Sequence, residues 1–477
     1  MTQCNTDAMH FKTLGRRNVV ADFQGGTLTS DGGALLLDKT DRAIDLLRRA
    51  AECFVDHRAP ELIEHTVGEL VRQRVFGLAL GYEDLNDHDE LSRDPLLATV
   101  VGKVDPTGQA RRARRDRDRP LAGKSTLNRL ELTEQTATAA SRYKKIVLDF
   151  GAMRSLFVDV FLDAYDEPPE EIILDLDATD DTLHGRQEGR FFHGYYNAYC
   201  YLPLYAFCGD HLLAAELRPS SIDASAGTVE LLERLVGRIR QRWPGVRIVL
   251  RADSGFAREE IMAWCELHEV DYVLGLAKNS RLEAEIVAQL AEAKSEHERT
   301  GVAARRFKDF LYCTRTSWSR SRRVIAKAEY LDKGANPRFV VTSLALEAYP
   351  AQALYEQTYC ARGEMENRIK EQQLCLFADR TSTRWLRSNQ IRLWLSSLAY
   401  VLVSALRRLG LADTRLARSR CDTIRLKLLK IGAAIRVSVR RVVVSLASSF
   451  PLRALFRRVV HRLTMAIRRV EVRPMRC

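Results

Sequence analysis

Two aspartates in this sequence stand near the ends of short apolar runs, where acidic side chains could share a metal ion. Asp177 lies near the end of 171–179, and Asp253 directly follows Arg247–Ala252, both typical of strands. Carboxylates gathered at one sheet edge repel each other, so a dication would stabilise them, and oxygen ligands suit magnesium or manganese. Asp175 and Asp177 alternate along one strand and share a face. Since Asp177 lies nearer the strand's end, we predict that it is the ligand, although either aspartate alone could cap a turn.

A third acidic ligand is predicted on a helix that crosses behind this sheet. The segment 359–371 has a helical pattern, in which residues three or four positions apart share one face. That face carries Tyr359, Arg362, Glu366 and Lys370. The competing acids Glu364 and Glu371 project away from it. Such a face could be only a surface ladder of ion pairs, but packing on a sheet with two aspartates favours Glu366 as a ligand.

The order of elements around the aspartates predicts the sheet that positions them. From 170 to 280 the apolar patterns indicate three strands, a helix, a strand, a helix and a strand. Three meander strands followed by alternating helices and strands predict a mixed α/β sheet with helices on both faces. In such a sheet the strand before Asp253 neighbours the strand that carries Asp177.

The segments on either side of this sheet have other patterns. Strand-like runs lie between 300 and 345, and helical spacing resumes at Ala351 and continues to the end, with turns near Gly410, Gly432 and Pro451. We therefore predict five regions: a mainly helical region at 1–150, the first part of the acid-bearing core at 151–285, a β-rich insert at 286–348, the Glu-bearing helix of the core at 349–380, and a basic helical C-terminal region at 381–477.

The distribution of charge predicts a polyanionic partner. From Arg380 to the end there are 23 Lys and Arg residues against 3 acidic ones, a formal charge of +20. The first 379 residues carry 51 basic and 59 acidic residues, a charge of −8. The tail could be only a solvated surface, but no acidic segment is concentrated enough to neutralise it, which favours nucleic-acid binding.

Individual basic residues are candidates for contacts with DNA phosphates. The linker 111–119 is either a disordered loop or a phosphate clamp, and the sequence leaves both open. Lys278, after the last strand of the core, is either a phosphate contact or a solvated strand end. The candidates in the linker and the tail are Arg111, Arg112, Arg114, Arg115, Arg440 and Arg441.

Several other classes of protein are excluded. Residues 123–126 imitate the end of a phosphate-binding loop, but Asp118 stands where that motif requires glycine, so no nucleotide cofactor is expected. None of the 10 cysteines forms a CxxC pair, which argues against zinc fingers. The first residues have neither an apolar core nor a cleavage site of the kind that signal peptides have, so no secretion signal is expected. The longest apolar run, 393–406, is shorter than the roughly 20 residues of a membrane span, so we expect no membrane contact and a cytoplasmic location.

Several long motifs give the sequence a family resemblance. They are Thr29-Ser-Asp-Gly-Gly-Ala-Leu-Leu-Leu, Lys124-Ser-Thr-Leu-Asn-Arg-Leu-Glu, Ile173-Leu-Asp-Leu-Asp-Ala-Thr-Asp-Asp, His184-Gly-Arg-Gln, Tyr201-Leu-Pro-Leu-Tyr, Arg251-Ala-Asp-Ser-Gly-Phe and Asp422-Thr-Ile-Arg-Leu-Lys-Leu-Leu-Lys-Ile-Gly-Ala. Nearly end to end, the sequence resembles bacterial insertion-sequence transposases with an Asp-Asp-Glu triad, of the group-1 branch named for insertion sequence thirteen-eighty. Tyr359, Arg362 and Glu366 fit that family's Tyr-x2-Arg-x3-Glu-x6-Lys signature. Gln373 replaces its lysine, and Lys370 could substitute.

The resemblance implies an RNase H-like catalytic core interrupted by a β-rich insert, DNA binding by the helical region 1–150, and cut-and-paste movement of an element with terminal inverted repeats. Two metal ions, magnesium or manganese, about 4 Å apart would clamp the attacking and leaving oxygens of the phosphate. Asp177 would bridge both ions, Asp253 and Glu366 would each bind one, and Tyr359, Arg362 and Lys278 would hold neighbouring phosphates.

The expected partners are the element ends and target DNA, bound by a homodimer or larger assembly close to the bacterial nucleoid. Two alternatives stay open: a nuclease of the same fold without strand transfer, and an inactive, transposase-derived DNA-binding protein.

Overall fold

The structure, a computed structural model, describes residues 8–472 and divides the chain into two compact units. One unit comprises the residues up to Leu47, Arg58–Leu130 and the residues from Ala405 onward. The other comprises Arg48–His57 and Glu131–Ser404, and it contains the strands and helices predicted to carry the acids. The five functional regions stay a prediction from the sequence, and their bounds differ from those of these two units.

The strands of the described residues are β1 (Met9–Leu14), β2 (Arg17–Ala21), β3 (Leu28–Thr29), β4 (Phe54–Asp56), β5 (Ile146–Leu148), β6 (Glu171–Ala178), β7 (Asp181–Thr182), β8 (Phe191–His193), β9 (Ala198–Tyr201), β10 (Leu204–Cys208), β11 (His211–Glu216), β12 (Arg247–Ala252), β13 (Asp271–Leu276), β14 (Ala304–Tyr312), β15 (Arg322–Leu331), β16 (Gly334–Ala335), β17 (Arg338–Thr342), β18 (Ala433–Val437) and β19 (Val442–Leu446).

The helices are α1 (Ala34–Ile44), α2 (Leu46–Glu52), α3 (Val67–Leu80), α4 (Asp87–Leu91), α5 (Pro95–Val101), α6 (Lys124–Leu132), α7 (Phe150–Leu162), α8 (Thr228–Arg242), α9 (Glu259–Leu267), α10 (Ser280–Glu285), α11 (Val287–Thr300), α12 (Ala351–Ala353), α13 (Gly363–Leu376), α14 (Leu386–Ala405), α15 (Cys421–Ile424) and α16 (Arg453–Val472). A π-helical turn, Leu354–Tyr359, and a 3-10 turn, Cys360–Arg362, join α12 to α13. Over the described residues, no helix combines the length and the apolar run that crossing a bilayer requires.

The central sheet has the strand order β11-β10-β6-β12-β13-β17-β15-β14, with β16 beside β15. β11, β10 and β6 are antiparallel neighbours, whereas β12 runs parallel to both β6 and β13. The predicted mixed sheet is therefore confirmed, as is the pairing of the strand before Asp253 with the strand that carries Asp177. The apolar residues of β6 are largely buried because a central strand of such a sheet is covered on both faces.

Helices cover both faces of this sheet, as predicted. On one face, Leu174 of β6 and Leu250 of β12 pack in a core with residues of α7, α8 and α9. On the other face, Val249 of β12 packs with Tyr355 of the π-helical turn. Further along that sheet, Phe207 of β10 meets Tyr400 of α14, with ring centroids 5.8 Å apart.

The region 286–348 differs from the predicted β-rich insert. Its first part is the helix α11, and its strands β14, β15 and β17 extend the central sheet instead of forming a separate β structure. The helix was missed because Ala293 is its only fully buried residue, so its sequence lacks a clear apolar period.

The two terminal regions also contain strands that were not predicted. β1 and β2 form an antiparallel hairpin before the first helix. β18 and β19 form a second hairpin, which β3 joins as a third strand. The prediction of helix throughout the C-terminal region was therefore wrong at 433–446, where β-branched valines favour a strand.

Candidate active site

Two of the predicted acids stand at the same edge of the central sheet. β6 and β12 pair in parallel, with Ala252 opposite Leu176, so the next residues of the two strands are Asp253 and Asp177. β12 ends at Ala252, and β6 ends at Ala178. On the other side of β6, Asp177 is paired with Tyr205 of β10. The parallel register of β6 and β12 therefore brings the two aspartates together.

Arg362 connects this sheet edge to the helix that carries the third acid. Its Nη1 lies 3.5 Å from Oδ2 of Asp177, and its Nη2 donates to Oε1 of Glu366 at 2.8 Å. Arg362 and Glu366 are one helical turn apart, across the start of α13. Asp177 is far from both residues in the sequence, and the folding of the chain brings it beside them. Asp177, Arg362 and Glu366 therefore form one charged group at the edge of the sheet.

The acids of this group influence one another electrically. The pKa of Asp177 is raised to about 7: burial is the largest cause, the charges of Asp253 and Glu366 also raise it, and the nearby Arg362 lowers it. Burial lowers the pKa of Arg362, but the attraction of Asp177 and the other acids outweighs this and raises it overall. The ionised form of Asp177 is therefore not fully stabilised, even with Arg362 beside it.

Asp253 and Tyr359 pack against a glycine of β13. The Asp253 carboxylate accepts a hydrogen bond of 2.8 Å from the backbone N–H of Gly255, so it also caps a turn. A Cβ at Gly275 would lie 2.5 Å from the Tyr359 hydroxyl and 2.8 Å from the backbone nitrogen of Ser254. Gly275 thus allows the tyrosine to approach the strand. Burial raises the pKa of Tyr359, which favours the neutral phenol as a hydrogen-bond donor.

Asp175 has a different environment from Asp177. Arg251 donates two hydrogen bonds to its carboxylate, of 2.5 and 2.8 Å, and both side chains are buried. The same guanidinium donates to the carbonyl of Thr358 at 2.5 Å, in the π-helical turn that precedes Arg362. Sequence reasoning missed this contact. The signal was present, since Arg251 and Asp175 each stand two residues before a predicted ligand.

The donor set fits a divalent cation by its chemistry. Three carboxylates supply only oxygen ligands, as magnesium and manganese prefer, and a bound cation would stabilise the ionised form of the buried Asp177. Over the described residues, no three His, Cys, Asp or Glu side chains stand in a ready-made metal cluster. A cation would compete with Arg362 for the oxygens of Asp177 and Glu366.

The residues predicted to hold phosphates near the acids do not all lie together. Tyr359 and Lys278 line one cavity of about 320 Å³, together with Ser254 and Arg338. Lys278 is exposed, 3.5 Å from Glu283. Lys370 is exposed on α13. Gln373, at the position of the signature lysine, donates to the carbonyl of Asp180 at 3.0 Å.

The predicted DNA contacts of the linker and the tail belong to the other compact unit. Arg111 is largely covered, because its guanidinium lies 3.0 Å from a Glu64 oxygen and also meets His65. Arg112 donates to the carbonyl of Glu61. Two linker residues and two residues at the turn between β18 and β19 are exposed: Arg114, Arg115, Arg440 and Arg441.

Comparison with known proteins gives one family. The family model described as "Transposase DDE domain group 1" matches residues 11–467. This family model does not distinguish the branches of the family, so membership of the branch named for insertion sequence thirteen-eighty stays a prediction. No curated protein matches the chain. A solved piggyBac transposase, described as a synaptic complex with hairpin DNA, has 12% sequence identity and a TM-score of 0.38. That similarity covers 94% of this chain and 83% of the piggyBac chain.

Proposed function

The chain belongs to the family of transposases with a DDE domain of group 1, and from this premise we propose that it is the transposase of an insertion sequence. It would bind the terminal inverted repeats of its element, cut the DNA there and join the freed ends to target DNA. Its partners would then be double-stranded DNA and a second copy of the chain that holds the other end, in the bacterial cytoplasm.

One observation carries this proposal: Asp177 and Asp253 at the same edge of neighbouring parallel strands, with Arg362 linking Asp177 to Glu366. The strand order of three antiparallel strands followed by two parallel ones supports an RNase H-like core. β17, β15 and β14 then occupy the place of the insert between the second and third acids.

In this proposal Asp177, Asp253 and Glu366 hold magnesium or manganese. When bound, these ions polarise the scissile phosphate and lower the pKa of an attacking water or hydroxyl. Arg362 supplies positive charge to the phosphate oxygens, and its fixed place beside the acids orients the phosphate. Tyr359 and Lys278, which line one cavity, hold the adjacent backbone. These contacts position the strand before any bond breaks.

The test is incubation of the purified protein with magnesium and a plasmid that carries the parent element's ends. Excision at the ends and their joining to a second plasmid would support the proposal. The matched control is Asp253→Asn, which changes one atom of the side chain. Cutting without joining would indicate a nuclease, and specific binding of the ends without cutting would indicate an inactive DNA-binding protein. Both outcomes would overturn the proposal.

A further inference from the structure

A short hairpin next to the candidate active site exposes an unusual number of aromatic rings. We define the aromatic hairpin as 190–201, which contains β8 and β9 joined by the turn 194–197. Four of its rings are between 44% and 86% exposed: Phe191, Phe192, Tyr195 and Tyr199. Exposed apolar groups of this kind mark interaction surfaces, because a partner that covers them removes apolar area from water.

Two of these rings form a pair on one side of the hairpin. Phe192 and Tyr199 are directly opposite in the register, and their ring centroids are 5.4 Å apart in an edge-to-face arrangement. The guanidinium of Arg190 lies 3.9 Å from the Tyr199 ring centroid. At the turn, Tyr195 packs on Tyr196 at 5.0 Å. The surface therefore combines ring faces and edges with a cation.

The base of the hairpin is anchored to its own unit. The Tyr201 hydroxyl donates to the carbonyl of Glu188 at 2.6 Å, and the Ser220 hydroxyl donates to the carbonyl of Phe191 at 3.1 Å. The Glu188 carboxylate accepts from the backbone N–H of Leu386 at 3.0 Å. The backbone that carries the rings is thus fixed in place, and the Glu188 carboxylate already has a hydrogen-bond partner.

The hairpin begins and ends at the edge of the sheet that carries the acids. β6 ends one residue after Asp177, β7 then pairs with β9, and β9 leads into β10, which is the neighbour of Asp177. Burial and the charges of Asp180 and Asp177 raise the pKa of Tyr196 to about 12, so this residue of the turn lies within electrostatic range of Asp177.

We propose that the aromatic hairpin binds unpaired nucleotides of the DNA strand beside the phosphate that is cut. Bases stack on Phe192, Tyr199 and Tyr195, while the exposed Arg186 and the neighbouring Arg190 attract the backbone. Stacking on aromatic side chains accepts any base and needs bases that are free of a partner strand. The basic side chains and the position beside the acids favour this ligand over a second copy of the chain. The inference rests on the proposed function.

The test measures binding of a short fluorescent thymidine oligonucleotide and of a duplex of equal length, in EDTA so that no strand is cut. Phe192→Ala and Tyr199→Ala should each weaken single-strand binding about fivefold or more, with duplex binding unchanged. Phe192→Tyr and Tyr199→Phe should retain it. The control is Tyr143→Ala, which removes an exposed tyrosine outside the hairpin that also has an arginine over its ring.

Unchanged single-strand affinity in both alanine variants, at an unchanged melting temperature, would overturn the inference. So would an equal loss in Tyr143→Ala, or a changed oligomeric state with normal single-strand binding, which would indicate a surface between copies. If the alanine variants do not fold, the Phe192→Tyr and Tyr199→Phe variants are measured with an abasic oligonucleotide instead. Removing the bases should weaken binding to these folded proteins. Since no cutting is measured, failure here is distinct from failure of the plasmid assay.

Discussion

Arg251 and Asp175 form a buried, two-hydrogen-bond ion pair across neighbouring strands, directly opposite each other in the register. Each stands two residues before an acid of the candidate site, Asp253 and Asp177. A pair of opposite charges without access to water cannot shift register without leaving a charge unpaired. We infer that this pair fixes the alignment that brings the two aspartates to one edge.

The first prediction concerns this pair. Asp175→Ala should lower the free energy of unfolding by about 3–5 kcal/mol, because it leaves Arg251 buried without its carboxylate. Replacing both, as in Asp175→Leu with Arg251→Met, should cost less than the single change. Urea unfolding measures both. A single variant as stable as the wild type would contradict the inference.

The second prediction concerns the three acids. Asp177→Asn, Asp253→Asn and Glu366→Gln should each abolish strand cutting and leave binding to end DNA nearly unchanged, since metal ligation is local whereas binding is spread over many basic residues. Gel shifts and cutting assays on the same preparations measure this. The control Glu364→Gln, on an exposed face of α13, should cut normally. Loss of cutting in a folded Asp175 variant with normal cutting by Asp177→Asn would refute the assignment of the first ligand.

The carboxylate-bearing strands could be predicted because an apolar run that ends in an acid is a local pattern. The bridging position of Arg362 could be predicted only in part: helical spacing puts it beside Glu366, but its contact with Asp177 depends on packing of α13 on the sheet. α11 lacked an apolar stripe, and the strand pair β18–β19 was hidden in a basic segment. Its valines favour a strand, but this local signal was weaker than the helical pattern of the sequence around it.

The third prediction concerns pH. The folded pKa of Asp177 is raised from 3.8 to about 7, so the folded state binds this proton more tightly than the unfolded state. The stability that the protonated group provides is therefore lost as the pH rises from about 4 to about 7. In EDTA, Asp177→Asn should be more stable than the wild type above pH 7, by on the order of 1–3 kcal/mol, and similar to it near pH 4. A difference in melting temperature between Asp177→Asn and the wild type that stays constant across this pH range would contradict the prediction.

The fourth prediction concerns the metal. Magnesium or manganese should support cutting, whereas calcium should support DNA binding without cutting, because its looser and longer coordination misplaces the reacting oxygens. Cutting of labelled end DNA in each ion measures this, with an Asp253→Asn preparation as the control for contaminating nuclease. Efficient cutting in excess EDTA would refute a metal mechanism.

The fifth prediction separates non-specific affinity for DNA phosphates from sequence recognition in the basic regions. Each neutralised phosphate contributes roughly −0.9 to the slope of log affinity against log salt. Neutralising Arg440 and Arg441, which are exposed at a hairpin turn, should reduce the slope by about 2 if both contact phosphates. Neutralising Arg114 and Arg115 should act similarly.

Arg111 provides the matched control for this experiment. Its guanidinium is paired with Glu64 and lies against His65, so Arg111→Gln should lower the melting temperature and leave the salt slope nearly unchanged. Phosphate contacts position a protein on DNA but do not specify sequence. The tail variants should therefore lose affinity equally for end DNA and random DNA, while the helical first region reads the repeats. Loss of preference for end DNA in the tail variants alone would overturn this division.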